Sequence, residues 1–269
     1  MSRFAWSWAS LIVLAGASPG LASEPDNAPA PSRFRNQKLA DQAPPTERSA
    51  LLAVTAAGAN VILGDSGSVV SVQLEGCVFP DSLLAVLRDL PHLKQLQLGH
   101  SKVTDDGLRH LRGLESVESL TLIQTNIGDA GLVHLEDLRN LKSLTLNSSL
   151  VTDAGMRSLA KLQSLEQLDL ESTQVGDPGL AEFGRLVNLK RLLLSSTKIT
   201  DAGLVNIERH PRLKKVSVFR TAVSDAGIKS LEKIGSLEVL LIGESKITDE
   251  GAKSIQAKLP RIKFTEQTE

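Results

Sequence analysis

Leu189 to Ile207 reads LKRLLLSSTKITDAGLVNI, and the chain can be read outward from it. Related spellings begin at Leu93, Val117, Leu141, Leu165, Leu213 and Leu237, with a looser one at Val69. Each start lies 24 residues from the next, with no insertion. A fixed period of this size marks one supersecondary unit repeated, where each unit buries its apolar face only against its neighbours. The eight copies predict a solenoid rather than a globule.

One unit is LxxLxLxxTxITDAGLxxLxxLxx. In Ser119-Leu120-Thr121-Leu122-Ile123 the alternation predicts a strand with Leu120 and Leu122 facing inward and the other three outward. A hydroxyl follows in the turn (Ser101, Thr125, Ser149, Thr173, Thr197, Thr221, Ser245) and is expected to bond the backbone of the neighbouring turn. Next comes an aspartate in every copy: Asp81, Asp105, Asp129, Asp153, Asp177, Asp201, Asp225 and Asp249. These are read as helix N-caps, worth about 1 kcal/mol each. The preceding Thr or Ser competes for that role, but Gly128 and Gly176 have no side chain to cap with, and Pro178 after Asp177 suits a first helical position. The helix buries Leu204 and Ile207 at i, i+3 spacing, and a glycine in its first turn (Gly203, Gly227 and their equivalents) suggests close packing on the neighbouring turn. The expected fold class is α/β: parallel strands joined by right-handed crossovers, the sheet concave and the short helices convex.

At this point the chain resembles the leucine-rich-repeat proteins, in the 24-residue variety with short helices, over roughly residues 69–264. Its TDAGL spelling is similar to that of exported bacterial repeat proteins and of the repeat arrays in F-box-type ligase adaptors. The resemblance implies a horseshoe whose concave sheet binds protein. It says nearly nothing about the ligand, because the repeated residues are scaffold.

Ahead of the repeats, residues 1–23 read as a secretory signal: Arg3, an apolar stretch from Phe4 to Ala17, and small residues Gly20, Ala22 and Ser23 at a cleavage site. The apolar stretch is short of the about 20 residues a membrane span needs. Residues 24–45, with Pro25, Pro29, Pro31, Pro44 and Pro45, are expected to form a disordered linker. Residues 46–68 are expected to supply a helix and a strand that cover the first edge of the core, and Ile262 and Phe264 a closing strand before a loose tail at 265–269.

Thirty basic and 31 acidic residues leave no strong field for nucleic acid or anionic membrane. Trp6 and Trp8 are the only tryptophans, both in the presumed signal, and there is no tyrosine, which argues against sugar stacking. Cys77 stands alone in the hydroxyl column and reads as structural. His110 and His134 share a helix column, but two ligands without a third make a poor metal site, so no metal or cofactor is expected. His100 is expected near Glu75, and Asp169 with Glu171 reads as solvated charge. Asn147-Ser148-Ser149 matches a glycosylation sequon. The outward strand positions are small or polar in the early repeats (Ser71, Gln73, Gln95, Gln97, Ser119, Thr121, Ser143, Thr145). Later they turn apolar and basic: Arg191, Leu193, Lys215, Phe219, Val239 and Leu241, with Arg220 beside them. Exposed apolar residues ringed by cations have the make-up of a binding spot. The expected function is an exported, monomeric, non-enzymatic module that binds a protein or peptide there. Competing readings are an envelope spacer and a ligase substrate adaptor.

Overall fold

The computed structural model describes residues 39–265. Ten strands form one open sheet in chain order: β1 Asn60–Leu63, β2 Val69–Gln73, β3 Gln95–Gln97, β4 Ser119–Thr121, β5 Ser143–Thr145, β6 Gln167–Asp169, β7 Arg191–Leu193, β8 Lys215–Ser217, β9 Val239–Leu241 and β10 Lys263–Thr265. β1 runs antiparallel to β2, and every later pairing is parallel. From β2 to β9 the register joins equivalent positions, Leu120 to Leu144 and Leu144 to Leu168, so the sequence period becomes a flush ladder. The result is a leucine-rich-repeat horseshoe. Its core is a stack of leucines from strand, helix and connecting turn, with Phe183 filling one helix position.

Past each strand from β2 to β9 the backbone turns through a left-handed residue. His100, Gln124, Ser148, Ser172, Ser196, Arg220 and Glu244 all have φ between 50° and 56°, and Gly76 holds the same column in the first repeat. For a residue with a Cβ this conformation costs about 1 kcal/mol. The compensation is on the ladder: Ser172 N–H donates to Ser195 O at 2.8 Å and Ser196 N–H to Phe219 O at 2.9 Å, so inter-repeat pairing continues through the turn.

Two expectations about the polar columns are corrected. The turn hydroxyls of Ser101, Thr125, Thr173, Thr197, Thr221 and Ser245 bond within their own turn, not to the neighbour, while the buried Ser149 hydroxyl has no partner among the described residues. Thr125 Oγ1 donates to Leu122 O at 2.8 Å and Thr197 Oγ1 to Leu194 O at 2.6 Å, since a short hydroxyl reaches a carbonyl three residues back most easily. Nor are the aspartates the caps. Asp81, Asp105, Asp129, Asp153, Asp177, Asp201, Asp225 and Asp249 are each the first helical residue. Thr104, Thr152, Thr200, Ser224 and Thr248 stand one position earlier and accept an N–H of the first turn. The carboxylate instead reaches the next repeat. Asp177 accepts Thr200 N–H at 2.7 Å on Oδ1 and Thr200 Oγ1–H at 2.6 Å on Oδ2, and Asp201 holds Ser224 the same way. A cap thus belongs to two repeats at once: its hydroxyl accepts from its own helix and donates to the carboxylate behind it.

At Gly128 and Gly176 this arrangement lacks its hydroxyl. Asp153 Oδ1 accepts Gly176 N–H at 2.7 Å, and Oδ2 has no hydroxyl to accept from at that cap. Gly176 is extended (φ −127°, ψ −162°), and a Cβ there would lie 3.6 Å from Asp153 Oδ2, an ordinary contact. Gly176→Thr is expected to stabilise the fold by about 1–2 kcal/mol, through one hydrogen bond to a charged acceptor and a less flexible unfolded chain. An unchanged urea midpoint would refute the two-repeat role of the caps.

At the N-terminal end a helix, Arg48–Ala56, buries Ala50, Leu51 and Val54 in the common core. Glu47, itself buried, accepts Val69 N–H at 2.7 Å and so satisfies the start of β2. The expected linker at 24–45 is corrected for its last residues. Residues 39–42 are helical, and Ala40 and Ala43 are buried because two small side chains can seat directly on the core. The signal reading at 1–23 and the tail beyond Thr265 lie outside the described residues. At the far end β10 pairs with β9 after the helix Asp249–Lys258, with Ile262 buried. Among the described residues no helix is long and apolar enough to cross a membrane.

Candidate functional site

The concave face presents three residues from each strand and its exit. In the middle of the sheet these side chains are hydrogen-bonded across repeats. Ser148 Oγ donates to Asn147 Oδ1 at 2.7 Å, Asn147 lies 3.5 Å from Glu171 Oε2, Ser195 donates to Glu171 Oε1, and Ser195 and Ser217 share a bond of 2.7 Å. One polar chain therefore runs from β5 to β8. Glu171 is part of this chain. Asp169, beside it, departs from the solvated reading. Burial pushes its carboxyl up from 3.8 to about 6, against the Glu171 N–H it accepts at 2.9 Å; the Glu171 charge raises it further and Arg191 offsets little. No alternation pattern signals this, because the cause is the neighbouring strands.

The structure brings most of the apolar and basic residues together and removes two from the surface. Arg191 and Lys215 are in register at the starts of β7 and β8, with Val239 next in line, and all three are half-buried. Phe219 is half-buried on the same face, and the Arg220 guanidinium sits 5.9 Å from its ring centre and 2.8 Å from Glu244. Leu193 is only 3 % exposed and Leu241 is 0 % exposed, so neither is an exposed anchor as expected. Each is the middle outward residue of its strand, enclosed by the residues before and after it and by both flanking strands. Leu193 nevertheless borders a cleft of about 180 Å³ with Ser143, Thr145, Gln167, Asp169 and Arg191.

Below this face an alternating column, Lys94, Glu118, Lys142, Glu166 and Lys190, pairs across repeats. Glu118 to Lys142 is 2.6 Å and Glu166 to Lys190 is 2.7 Å. The hydrogen bond from Lys142 holds Glu118 below the usual carboxylate range. Such exposed pairs contribute a few tenths of a kcal/mol.

The other candidates are placed plainly. His100 Nε2 is 3.5 Å from Glu75. Cys77 is half-buried with Sγ 3.5 Å from Gly58 O. Among the described residues no three of His, Cys, Asp and Glu are grouped to hold a metal. Sequence reading missed His210, which replaces the leucine of Leu114, Leu138, Leu162 and Leu186 in the turn column. Its Nε2 is 2.8 Å from Leu186 O, and its buried Nδ1 has no partner. Burial lowers its pKa below 6.5, so the unfolded chain takes up the proton first and stability falls as pH drops below 6.5. His210→Leu is expected to abolish that acid loss and to raise the urea midpoint more at pH 5 than at pH 8. An equal change at both would contradict the assignment.

A family profile described as "Leucine Rich repeat" matches residues 89–111, 161–184 and 186–207. This is a leucine-rich-repeat protein. A search of curated proteins finds no match. Among solved structures the repeat array is similar to internalin C2 from Listeria monocytogenes, at 23 % identity over 90 % of this chain and 89 % of that one, TM-score 0.52. It is also similar to the plant peptide hormone receptor RGFR1 in complex with RGF2, at 16 % identity over 76 % of this chain and 36 % of the receptor chain, TM-score 0.52. At these identities the likeness concerns the fold.

Proposed function

We propose that this leucine-rich-repeat protein is an exported, non-enzymatic recognition module that binds a protein or peptide on its concave sheet. The observation that carries the reading is the change of surface along the sheet. Neutral polar positions at β3 to β5 give way to Arg191, Lys215, Phe219, Arg220 and Val239 on one continuous face. Phe219, braced by Arg220, supplies the aromatic anchor and Val239 the adjoining apolar surface. The cations steer acidic groups of the partner and fix its register. The similar plant receptor, solved in complex with RGF2, supports a ligand-binding role for this fold. Export rests on the signal-like residues 1–23.

The test is affinity capture with the intact chain against its Phe219→Ala and Val239→Ala variants. Truncating a central aromatic anchor costs about 2 kcal/mol or more, so captured partners are expected to fall by roughly thirtyfold in affinity with Phe219→Ala. Undiminished capture by both variants would remove this face from consideration.

A further inference from the structure

We infer that β1 pairs with the β1 of a second copy of this chain, antiparallel across a two-fold axis at Ile62, joining two sheets into one. The inference is independent of the concave-face reading and differs from the monomer expected from the sequence. β1 and β10 are the two edge strands of the sheet, and an edge offers a row of main-chain N–H and C=O groups that another extended backbone satisfies. On β1 the direction of those groups follows from its neighbours. Lys94 N–H donates to Val70 O at 2.9 Å and Leu74 N–H to Gln97 O at 2.8 Å. Residues 70, 72 and 74 thus bond towards β3, and Ser71 and Gln73 towards β1. Their partners Ile62 and Asn60 face β2, so Val61 and Leu63 point their N–H and C=O groups out of the sheet. Among the described residues nothing bonds those outward groups. The bulge in this pairing puts its extra residue, Val70, on β2, so β1 itself stays regular. Its length suffices, since β3 to β9 also pair over three residues each.

Charge decides the occupant. Residues 49–64, which supply most of the helix Arg48–Ala56 and all of β1, contain no charged side chain, although 23 % of the chain is charged. Leu52 and Ile62 are exposed there. The opposite end carries Asp249, Glu250, Lys253, Lys258, Arg261 and Lys263, and the exposed Lys263 lies on β10 itself. Charge on an edge strand guards it against pairing, so β10 is guarded and β1 is not. Head-to-tail stacking would set β1 against Lys263 and grow an open filament. Head-to-head pairing sets neutral edge on neutral edge and closes as a dimer. Because alternate residues face opposite sides, a register centred on Ile62 keeps every side chain on its own face. Ile62, 45 % exposed, then meets its own counterpart, and Val61 lies beside Leu63 of the partner subunit. The two Val61–Leu63 pairs are those whose outward groups meet, which gives about four main-chain hydrogen bonds between the copies.

Sedimentation velocity of the intact chain across the micromolar range tests the dimer. The mass is expected to rise with concentration from 28.8 kDa to twice that value. Ile62→Lys sets like charges together at the axis and should weaken association about tenfold or more, with a urea midpoint close to wild type because the side chain is on the surface. Lys263→Glu, on the other edge, should leave association unchanged. In a Cys77→Ser background, Ile62→Cys should give a disulfide-linked dimer on treatment with diamide. A directly opposed, non-hydrogen-bonded antiparallel pair holds its Cα atoms about 4.5 Å apart, within reach of a disulfide. Asn60→Cys, two residues off the axis, should not cross-link. A monomer at every concentration, a dimer that survives Ile62→Lys, a dimer lost in Lys263→Glu, or equal cross-linking by both cysteine variants would each overturn the inference. Slow hydrogen exchange of the Val61 and Leu63 amides in a monomer would overturn it too, since the chain would then be covering its own edge.

Discussion

Gly227→Ala should destabilise this protein by about 2–3 kcal/mol, even though it places the best helix former in the first turn of a helix. A Cβ at Gly227 would lie 2.5 Å from Asp201 Oδ1, 2.9 Å from Val223 Cγ1 and 3.0 Å from Leu204 Cδ1. The nearest atom is no loose side-chain end. It is held at 2.7 Å by Ser224 N–H, while Oδ2 holds the Ser224 hydroxyl at 2.6 Å. To make room the carboxylate must let go of the cap of the next repeat. Gly184 is the control: it is helical with nothing within 4 Å of its Cβ position, so Gly184→Ala should be neutral or stabilise by about 0.5 kcal/mol. Urea unfolding of the two variants should move in opposite directions. Combining Gly227→Ala with Asp201→Ala should cost at least about 1 kcal/mol less than the sum of the single changes, because both break the same contact. Strict additivity would mean that the glycine column and the aspartate column are independent.

Asp169→Asn should make the protein more stable at neutral pH and leave it unchanged in acid. The folded carboxyl titrates at about 6, above its ordinary 3.8, so between those values the folded state holds a proton that the unfolded state has released. Stability from this group is therefore full below about pH 4 and lost as pH rises through 6. For a half-buried group the loss is roughly 2 kcal/mol. Asparagine is neutral throughout and still accepts the Glu171 N–H, so the variant should gain that amount at pH 7.5 and nothing at pH 3.5. His210 acts in the opposite sense on the acid side, but it is common to both proteins and cancels in the difference. A gain of the same size at both pH values would show that the burial of charge is not its source.

The two experiments probe the two kinds of column in the chain. One kind repeats and builds the scaffold: leucines, cap hydroxyls, aspartates and glycines. The other varies from repeat to repeat and makes the concave face. Asp169 occupies a position held by Thr121 and Thr145 in the preceding strands and by Leu193 in the next. Its perturbed carboxyl and its open cleft arise from that local break in an otherwise neutral strip. The basic and apolar cluster was legible as a set of outward positions. Its true membership was not, because Leu193 and Leu241 alternate as outward residues should and are still enclosed by their neighbours.

From the amino-acid order alone follow the period, the strand alternation, the inward leucines and the solenoid itself, because these are local patterns that each repeat states independently. The partner of each aspartate, the left-handed column from His100 to Glu244 and the burial of Asp169 and His210 belong to the stacked structure. Each depends on what lies one repeat away, across the sheet rather than along the chain, and spacing within a single repeat carries no record of that neighbour.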